Sequence, residues 1–456
     1  MRNAVMLHRR RLLTAMALAA AGTSAGTSWA RMAAESLAPA AGAKIVIVGA
    51  GVGGATAAKY LKIFNPKIHV TLIDRNPNFV RHYGSSELLT GAVTMEDLTV
   101  SYDALHERYG VKVVRDTIIG LDADRKTVIG KTSRYAYDKL IVSPGIELLY
   151  DALPGYSADL AASRIPSGWI AGPQTQLLAN QLQSMRSGGT FLIVAPPNPY
   201  RCPPGPYERA ALVTEWCAKH NPTARVIITD PKNSFVTDET MILGWNRLYG
   251  FPIPADYSAK LSNYAKPARD DCRLAWIQAH DGGKPLELDA AGMTVRTEAG
   301  MIKADVINII PPMRAANIAL EMDLADKTGF CPVDRRTFES SIIPDVYVLG
   351  DASIADAMPK SGFSANTQAK TTARAIVEEL AGRPIPEPAW SNTCYALAGE
   401  DYGLFVADVF RIVNGKISRV NTRARYQFLT ASPQEQAVAA HYLHSWMNTI
   451  TADSFG

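Results

Sequence analysis

Apolar residues cluster in short unbroken runs between helical stripes, the pattern of strands buried on both faces of parallel sheets. The run KIVIVG at 44–49 opens the series, and TFLIVA at 190–195 restarts it after a long interval. Residues 137–142, 225–229, 304–310 and 345–351 repeat the pattern. A helix opened by the segment Gly49–Gly54 is expected to run to about Phe64, broken by Asn65-Pro66, with a strand at Val70–Ile73 ending at Asp74. Another helix should span Asn366–Leu380, before Gly382, Pro384, Pro386 and Pro388 mark a boundary. Residues 251–275 carry no clear period and read as an irregular polar insertion. In the tail, Ser432-Pro433-Gln434-Glu435 has the form of a capping box with Pro at the first helical position. Val438, Tyr442, Trp446 and Ile450 then recur at fourfold spacing and suggest one apolar face, packed on the first domain or used for a partner.

This order of elements predicts an α/β fold with two Rossmann-like, dinucleotide-binding-type domains and a small C-terminal α+β domain. The first domain is discontinuous, over 44–156 and 301–385. The second covers 157–300, and the third 386–456.

The chemistry begins at Gly49-Ala50-Gly51-Val52-Gly53-Gly54, between the first strand and its helix. Gly49 allows the tight turn, Gly51 lets backbone approach a pyrophosphate, and Gly54 lets helix and strand pack closely. Asp74, at the end of the next strand, is placed to accept from a ribose hydroxyl. A second loop of this kind is expected after 190–195, but it is filled by Pro196, Pro197, Pro199, Pro203, Pro204 and Pro206. Proline lacks the amide donor a phosphate needs. Cys202 stands there instead, with Glu208 shortly after it, so the place reads as a redox site rather than a nicotinamide pocket. Gly350-Asp351 lies at another strand end, where ligands of open α/β sheets bind.

Composition changes the picture in two ways. The formal net charge is +4, but residues 1–30 hold Arg2, Arg9, Arg10 and Arg11 and no acid, so the remainder is neutral. Nothing in it points to nucleic acid. The same thirty residues have a basic start, an apolar stretch Leu12–Ala21 and a Ser28-Trp29-Ala30 cleavage pattern. Arg9-Arg10-Arg11-Leu12-Leu13 looks like a twin-arginine export signal, which predicts a periplasmic protein. Residues 31–43 read as a linker, and no later apolar run is long enough for a membrane span. Five cysteines follow: Cys202, Cys217, Cys272, Cys331 and Cys394. They form no Cys-x-x-Cys and no Cys-x-x-Cys-His, so neither a metal site nor an attached c-type haem is expected.

One glycine fingerprint, a Gly350-Asp351 strand end and no second fingerprint suit a flavin. On GATAAKY (54–60), SPGIELLYD (143–151), RCPPGPYERA (201–210), GWNRLYGF (244–251), CPVDRRTFESSI (331–342), MPKSGFSANTQ (358–368), NTCYALA (392–398) and DSFG (453–456), the chain resembles the flavoprotein subunit of flavocytochrome c sulfide dehydrogenase. That family is related to the sulfide:quinone reductases and glutathione-reductase-like flavoproteins. The resemblance implies FAD held by Gly49, Gly51, Gly54, Asp74, Gly145, Gly350, Asp351 and Lys360. Lys360 is expected near the flavin ring. It also implies a reactive disulfide between Cys202 and Cys394 that sulfide attacks, with Glu208 moving protons and Arg201 or Arg209 steadying a thiolate. Electrons would leave for a c-type cytochrome in another chain.

Two departures bear on this. His82 stands where the family attaches flavin through a cysteine, so either a histidyl linkage or a non-covalent flavin with His82 lining the pocket is expected. Ser353 stands where the family often has cysteine, which leaves the state of Cys331 open. Two other functions remain compatible with the sequence: an NAD(P)H-dependent disulfide reductase, and a non-catalytic persulfide carrier or assembly subunit.

Overall fold

The computed structural model describes residues 42–421 and 425–456, so the expected export signal and nearly all of the linker lie outside the described residues. Strand Lys44–Val48 is buried from Ile45 onward and lies at the centre of a five-stranded parallel sheet. Lys139–Val142 and Val346–Val348 extend the sheet on one side, and His69–Asp74 and Lys112–Arg115 on the other. Helix Val52–Phe64 covers one face together with helix Gly362–Leu380.

The second sheet has the order Leu274–Ile277, Arg225–Thr229, Thr190–Val194, Val306–Ile309, and all its strands are parallel. Here the structure corrects the boundary expected at 301: Val306–Ile309 pairs with Thr190–Val194 and belongs to the second domain. The chain returns to the first domain later, at Met313–Ala315, which pairs antiparallel with the outgoing Ile146–Leu148. The 251–275 insertion is also more ordered than expected, since Ala255–Leu261 is helical and buries Tyr257 and Leu261.

The third unit is an antiparallel sheet, Trp390–Gly399, Tyr402–Val413 and Lys416–Arg419, with the long helix Pro433–Phe455. The capping box forms: Ser432 Oγ accepts from the Glu435 backbone, and the Glu435 carboxylate accepts from the Ser432 N–H. The apolar face differs from the expectation. Ala439, Ala440, Leu443, Met447 and Ile450 are buried, whereas Val438 and Tyr442 are 49% and 54% exposed. With 3.6 residues per turn, a series spaced by four drifts around the helix by about 120° from Val438 to Ile450. The end of this helix braces the first domain: Thr56 Oγ1 donates to Ser454 Oγ at 2.9 Å, Lys370 pairs with Asp453 at 2.6 Å, and Phe455 stacks on Phe79 at 5.0 Å.

Candidate functional site: a dinucleotide cradle beside two cysteines

Gly49 has φ +93°, and a Cβ there would lie 2.4 Å from the Ser143 carbonyl oxygen. A Cβ on Gly54 would lie 1.9 Å from the Gly49 oxygen. Both positions therefore require glycine for the turn to close. Gly51 is the N-cap of helix Val52–Phe64 and offers no side-chain cap, so first-turn amides stay available to a phosphate. Asp74 Oδ2 accepts from the Ala50 N–H at 2.8 Å and Oδ1 from Asn76, tying the second strand end to the glycine turn with lone pairs to spare. Gly145 sits where the chain crosses between domains, its carbonyl accepting from Ala316 at 3.0 Å.

Across the cleft, the Gly350 N–H donates to Gln368 Oε1 at 2.9 Å, which fixes the turn that carries Asp351. Asp351 Oδ1 is buried and makes no hydrogen bond among the described residues. Burial raises its pKa, against the pull of Arg201 and Lys360. Lys360 Nζ donates to the Asp351 and Ser353 carbonyls at 2.7 and 3.1 Å and lies 3.9 Å over Phe330. Desolvation lowers its pKa to about 8. Its own carbonyl accepts from the Cys202 N–H at 2.9 Å, so the flavin-side turn and the cysteine loop are joined directly.

Cys202 has φ +57°, a left-handed conformation uncommon for a residue with a Cβ and frequent at functional sites. Cys202 is exposed beside the buried Arg201, and its sulfur is crowded from the helix side, 3.0 Å from where a Cβ on Gly205 would lie. Burial pushes the thiol up to about 12, with the charges of Glu208 and Cys394 adding to the rise and Arg201 opposing it. Cys394 comes from strand Trp390–Gly399, donates to Asn392 Oδ1 at 3.4 Å, and is raised to about 11, first by burial. The sulfurs are unbonded: Cys202 and Cys394 are both free thiols here, so the expected bridge is not present in this state. The Cys202 N–H is held by the Lys360 carbonyl and the Cys394 thiol by Asn392.

Glu208 lies on the first turn of helix Gly205–His220. Its Oε1 accepts from the Leu397 N–H at 2.8 Å, which locks the helix to the strand that bears Cys394. Desolvation lifts this carboxyl from 4.5 to about 8. Of the two arginines, Arg209 is spent on structure, donating to Asn308 Oδ1 at 2.8 Å and to the Ser167 and Gly168 carbonyls. Arg201 donates to the Trp169 carbonyl, and its charge reaches Cys202, Asp351 and His82. His82 Nδ1 accepts from the Ala171 N–H at 3.1 Å, and burial first, then Arg201, hold the ring well below its usual pKa. It is a neutral wall residue, edge-on to Phe79 at 5.5 Å.

The equivalent of Asp74 in the second domain is Asp230, after strand Arg225–Thr229. It accepts from Tyr207 Oη at 2.5 Å, Trp276 Nε1 at 3.1 Å and Lys232 Nζ at 2.6 Å. Lys232 also donates to the Pro196 carbonyl. An ordinary nucleotide-binding acid has thus become the hub of a buried cluster, with Tyr207 stacked on Phe235 at 3.4 Å. A cavity of about 710 Å³ remains nearby, between Tyr200 and Phe235 on one side and Phe330 and Lys360 on the other.

The chain is similar to known proteins in sequence and in fold. Residues 175–311 match the family described as the central part of the flavoprotein chain of flavocytochrome c sulfide dehydrogenase, and residues 386–455 match that enzyme's flavin-binding family. Residues 43–165 match the pyridine nucleotide-disulphide oxidoreductase family. A sulfide dehydrogenase flavoprotein chain from Chlorobaculum thiosulfatiphilum is 49% identical over 37 residues, which cover 8% of this chain and 77% of that sequence. The chain belongs to the sulfide dehydrogenase and sulfide:quinone reductase-like flavoproteins. This flavoprotein is also similar to the sulfide-quinone reductase of Aquifex aeolicus, 23% identical over 372 residues, covering 80% of this chain and 83% of that one. The mitochondrial sulfide:quinone oxidoreductase of Dictyostelium discoideum is 23% identical over 350 residues, covering 75% and 72%. The solved sulfide:quinone oxidoreductase from Aquifex aeolicus shares the fold, with a TM-score of 0.65 at 16% identity over 90% of this chain and 92% of that one.

The cofactor of this flavoprotein is FAD. The residues present fit it: glycines that no Cβ could replace line the pyrophosphate turn, and the orphaned Asp351 Oδ1 awaits a hydroxyl donor. Sequence reasoning missed Asn392, whose buried Oδ1 accepts from Ser361 at 2.6 Å and from the Cys394 thiol. It also missed Trp169 and Gln368. Only Ser361 carried a readable signal, as a serine N-cap before a helix that begins at Gly362 rather than Asn366.

Proposed function

We propose that this flavoprotein oxidises sulfide, or a related small sulfur compound, to sulfane sulfur through Cys202 and Cys394 and passes electrons from FAD to a c-type cytochrome in a separate chain. The observation that carries this reading is the meeting of Cys202, Cys394 and Glu208 at a loop hydrogen-bonded to the Asp351–Lys360 turn of the flavin cradle. When bound, FAD supplies a two-electron acceptor beside the pair. In the oxidised state the two sulfurs are bonded. HS⁻ attacks one, a new S–S bond forms on that cysteine, the old bond breaks, and the other cysteine leaves as a thiolate. A free thiolate is costly at both positions, so the proton on Glu208 is held where the leaving sulfur needs it. A second HS⁻ removes the sulfane sulfur as HSS⁻, and the dithiolate closes again by giving up two electrons. Each turnover converts two HS⁻ into HSS⁻, one proton and two electrons.

This sequence has no Cys-x-x-Cys-His, so the cytochrome of this reading is placed in another chain. Among the described residues no helix is long and apolar enough to cross a membrane. Export by the twin-arginine route to the periplasm is part of the proposal and rests on Arg9–Arg11 and Ser28–Ala30. The disulfide-reductase alternative is opposed by Asp230, whose carboxylate is consumed by Tyr207, Trp276 and Lys232. Anaerobic addition of sulfide or NADH to the purified flavoprotein separates the possibilities. Sulfide should bleach the flavin and NADH should not. Bleaching by NADH alone would reverse the assignment, and persulfide on Cys202 without bleaching would make the chain a sulfur carrier.

A further inference from the structure

The dithiolate that hands on its electrons carries charge on both sulfurs, and the two cysteines are provided for differently. Burial opposes an anion at Cys202, and Arg201 favours it. At Cys394 burial again weighs most against an anion, side-chain hydrogen bonds of Asn392 and Ser361 favour it, and the charges of Asp408 and Glu208 oppose it. Polar neighbours thus stand at Cys394 where a cation stands at Cys202.

Asn392 lies two residues before Cys394 on strand Trp390–Gly399, so the two side chains share a face. It is 1% exposed. Its Oδ1 accepts from Ser361 Oγ at 2.6 Å, Ser364 Oγ at 3.4 Å and the Cys394 thiol at 3.4 Å. Its amide Nδ2 makes no hydrogen bond among the described residues. Three donors therefore share an oxygen with two lone pairs, while two amide hydrogens go unused. A half-turn of the carboxamide reverses this, with one amide hydrogen for the sulfur and one for the Ser361 oxygen. Ser361 Oγ already accepts from the Ser364 N–H at 3.0 Å, as the cap of helix Gly362–Leu380, and has a second lone pair to offer. Its own proton, released from Oδ1, can then turn to the sulfur.

The charged groups on the elements packed against this strand are engaged elsewhere. Asp408, on strand Tyr402–Val413, is bound by Arg425 at 2.6 Å, and Glu208, on helix Gly205–His220, accepts from the Leu397 N–H. Arg247, on helix Asp238–Tyr249, donates to Tyr402 Oη at 3.1 Å. Lys370, on helix Gly362–Leu380, pairs with Asp453, and His444, on the tail helix, lies 2.7 Å from Glu87.

We propose that Asn392 serves the Cys394 sulfur in both its states: its carbonyl oxygen accepts from the thiol, and its amide, turned over, donates to the thiolate. The turn moves no electron and no proton between groups. The inference rests on the sulfide-oxidising reading above for the reason that Cys394 becomes a thiolate at all.

The test reads the ionisation of Cys394 in the full flavoprotein with bound FAD, carrying Cys202→Ser so that no bridge forms. The probe is iodoacetamide, with alkylation of the Cys394 peptide followed by mass. At pH 9, below the value of about 11 that burial above all sets for Cys394, the rate follows the thiolate fraction. Removing a hydrogen bond to a charged group should cut that fraction, and so the rate, by about ten- to hundredfold in Asn392→Leu. Asn392→Asp keeps the shape, the acceptor and the access to the sulfur but loses the donor, and should be slowed at least as much. It decides the matter alone if Asn392→Leu does not fold. A purely structural role would lower the melting temperature and leave the alkylation rate of folded Asn392→Asp equal to that of its parent, and that result would overturn the proposal. Bleaching of the wild-type flavin by sulfide is recorded alongside. Its absence would sink the functional reading, whereas the alkylation rates judge Asn392 independently.

Discussion

Replacing Glu208 by Gln isolates a single proton. The amide keeps the volume and keeps an acceptor for the Leu397 N–H, now 2.8 Å from Oε1, so strand and helix should stay locked. What disappears is an acid held at about 8. With that value, about nine-tenths of the enzyme carries the proton at pH 7 and about one-tenth at pH 9. The leaving thiol, near 11 or 12 at either cysteine, cannot depart cheaply as an anion without it. General acid catalysis of this kind is worth roughly 10²–10⁴-fold. The lower end, about 10²-fold, applies here because Arg201 and the helix N-terminus still favour a thiolate at Cys202. The assay is stopped-flow bleaching of the flavin by sulfide from pH 6 to 10, with rates referred to HS⁻. Wild type should fall about tenfold per unit above pH 8. Glu208→Gln should be slower by about 10²-fold and lack that limb. A variant profile superimposable on wild type would refute the role.

Other outcomes follow from the same contacts. Cys202→Ser and Cys394→Ser should each abolish bleaching by sulfide while retaining flavin, read from absorbance after gel filtration. Asp351→Leu removes the orphaned acceptor and should weaken flavin binding roughly ten- to hundredfold, measured by flavin release on dilution. Gly54→Ala places a methyl 1.9 Å from the Gly49 oxygen and should give protein that is poorly folded or free of flavin, seen as lost colour. Glu208 also bears on stability. Its folded value lies above the unfolded 4.5, so its contribution is complete below pH 4.5, is lost as pH rises to about 8, and is flat beyond. The melting temperature of Glu208→Gln relative to wild type should therefore rise between pH 5 and 8 and then level off.

Much of the first domain was legible because parallel strands are apolar on both faces and the glycine turn is local chemistry. Lys44–Val48, Val52–Phe64 and Thr190–Val194 lie within a residue or two of where the pattern put them. Pairing across the chain was not legible: nothing in ADVINII says that its partner is Thr190–Val194 rather than Lys139–Val142. The tail helix was readable as a helix, but residues spaced by four spiral off the buried stripe, so Val438 and Tyr442 face solvent. At the site, the proline-filled loop announced Cys202, whereas Asn392 is an ordinary polar residue in sequence. Docking of the third unit on the first domain brings it the Ser361 hydroxyl as a partner. Lys360 carried a recognisable motif, but the two carbonyls that accept from its ammonium could not be read from it.

The most direct test of the account is the bonding of Cys202 and Cys394 before and after sulfide. Air-oxidised flavoprotein, alkylated and digested, should yield one cross-linked peptide joining these two residues. One equivalent of sulfide added without oxygen should remove it as the flavin bleaches. If both cysteines of the oxidised, sulfide-competent enzyme are alkylated as free thiols, the pair is not the entry point for electrons and the account fails.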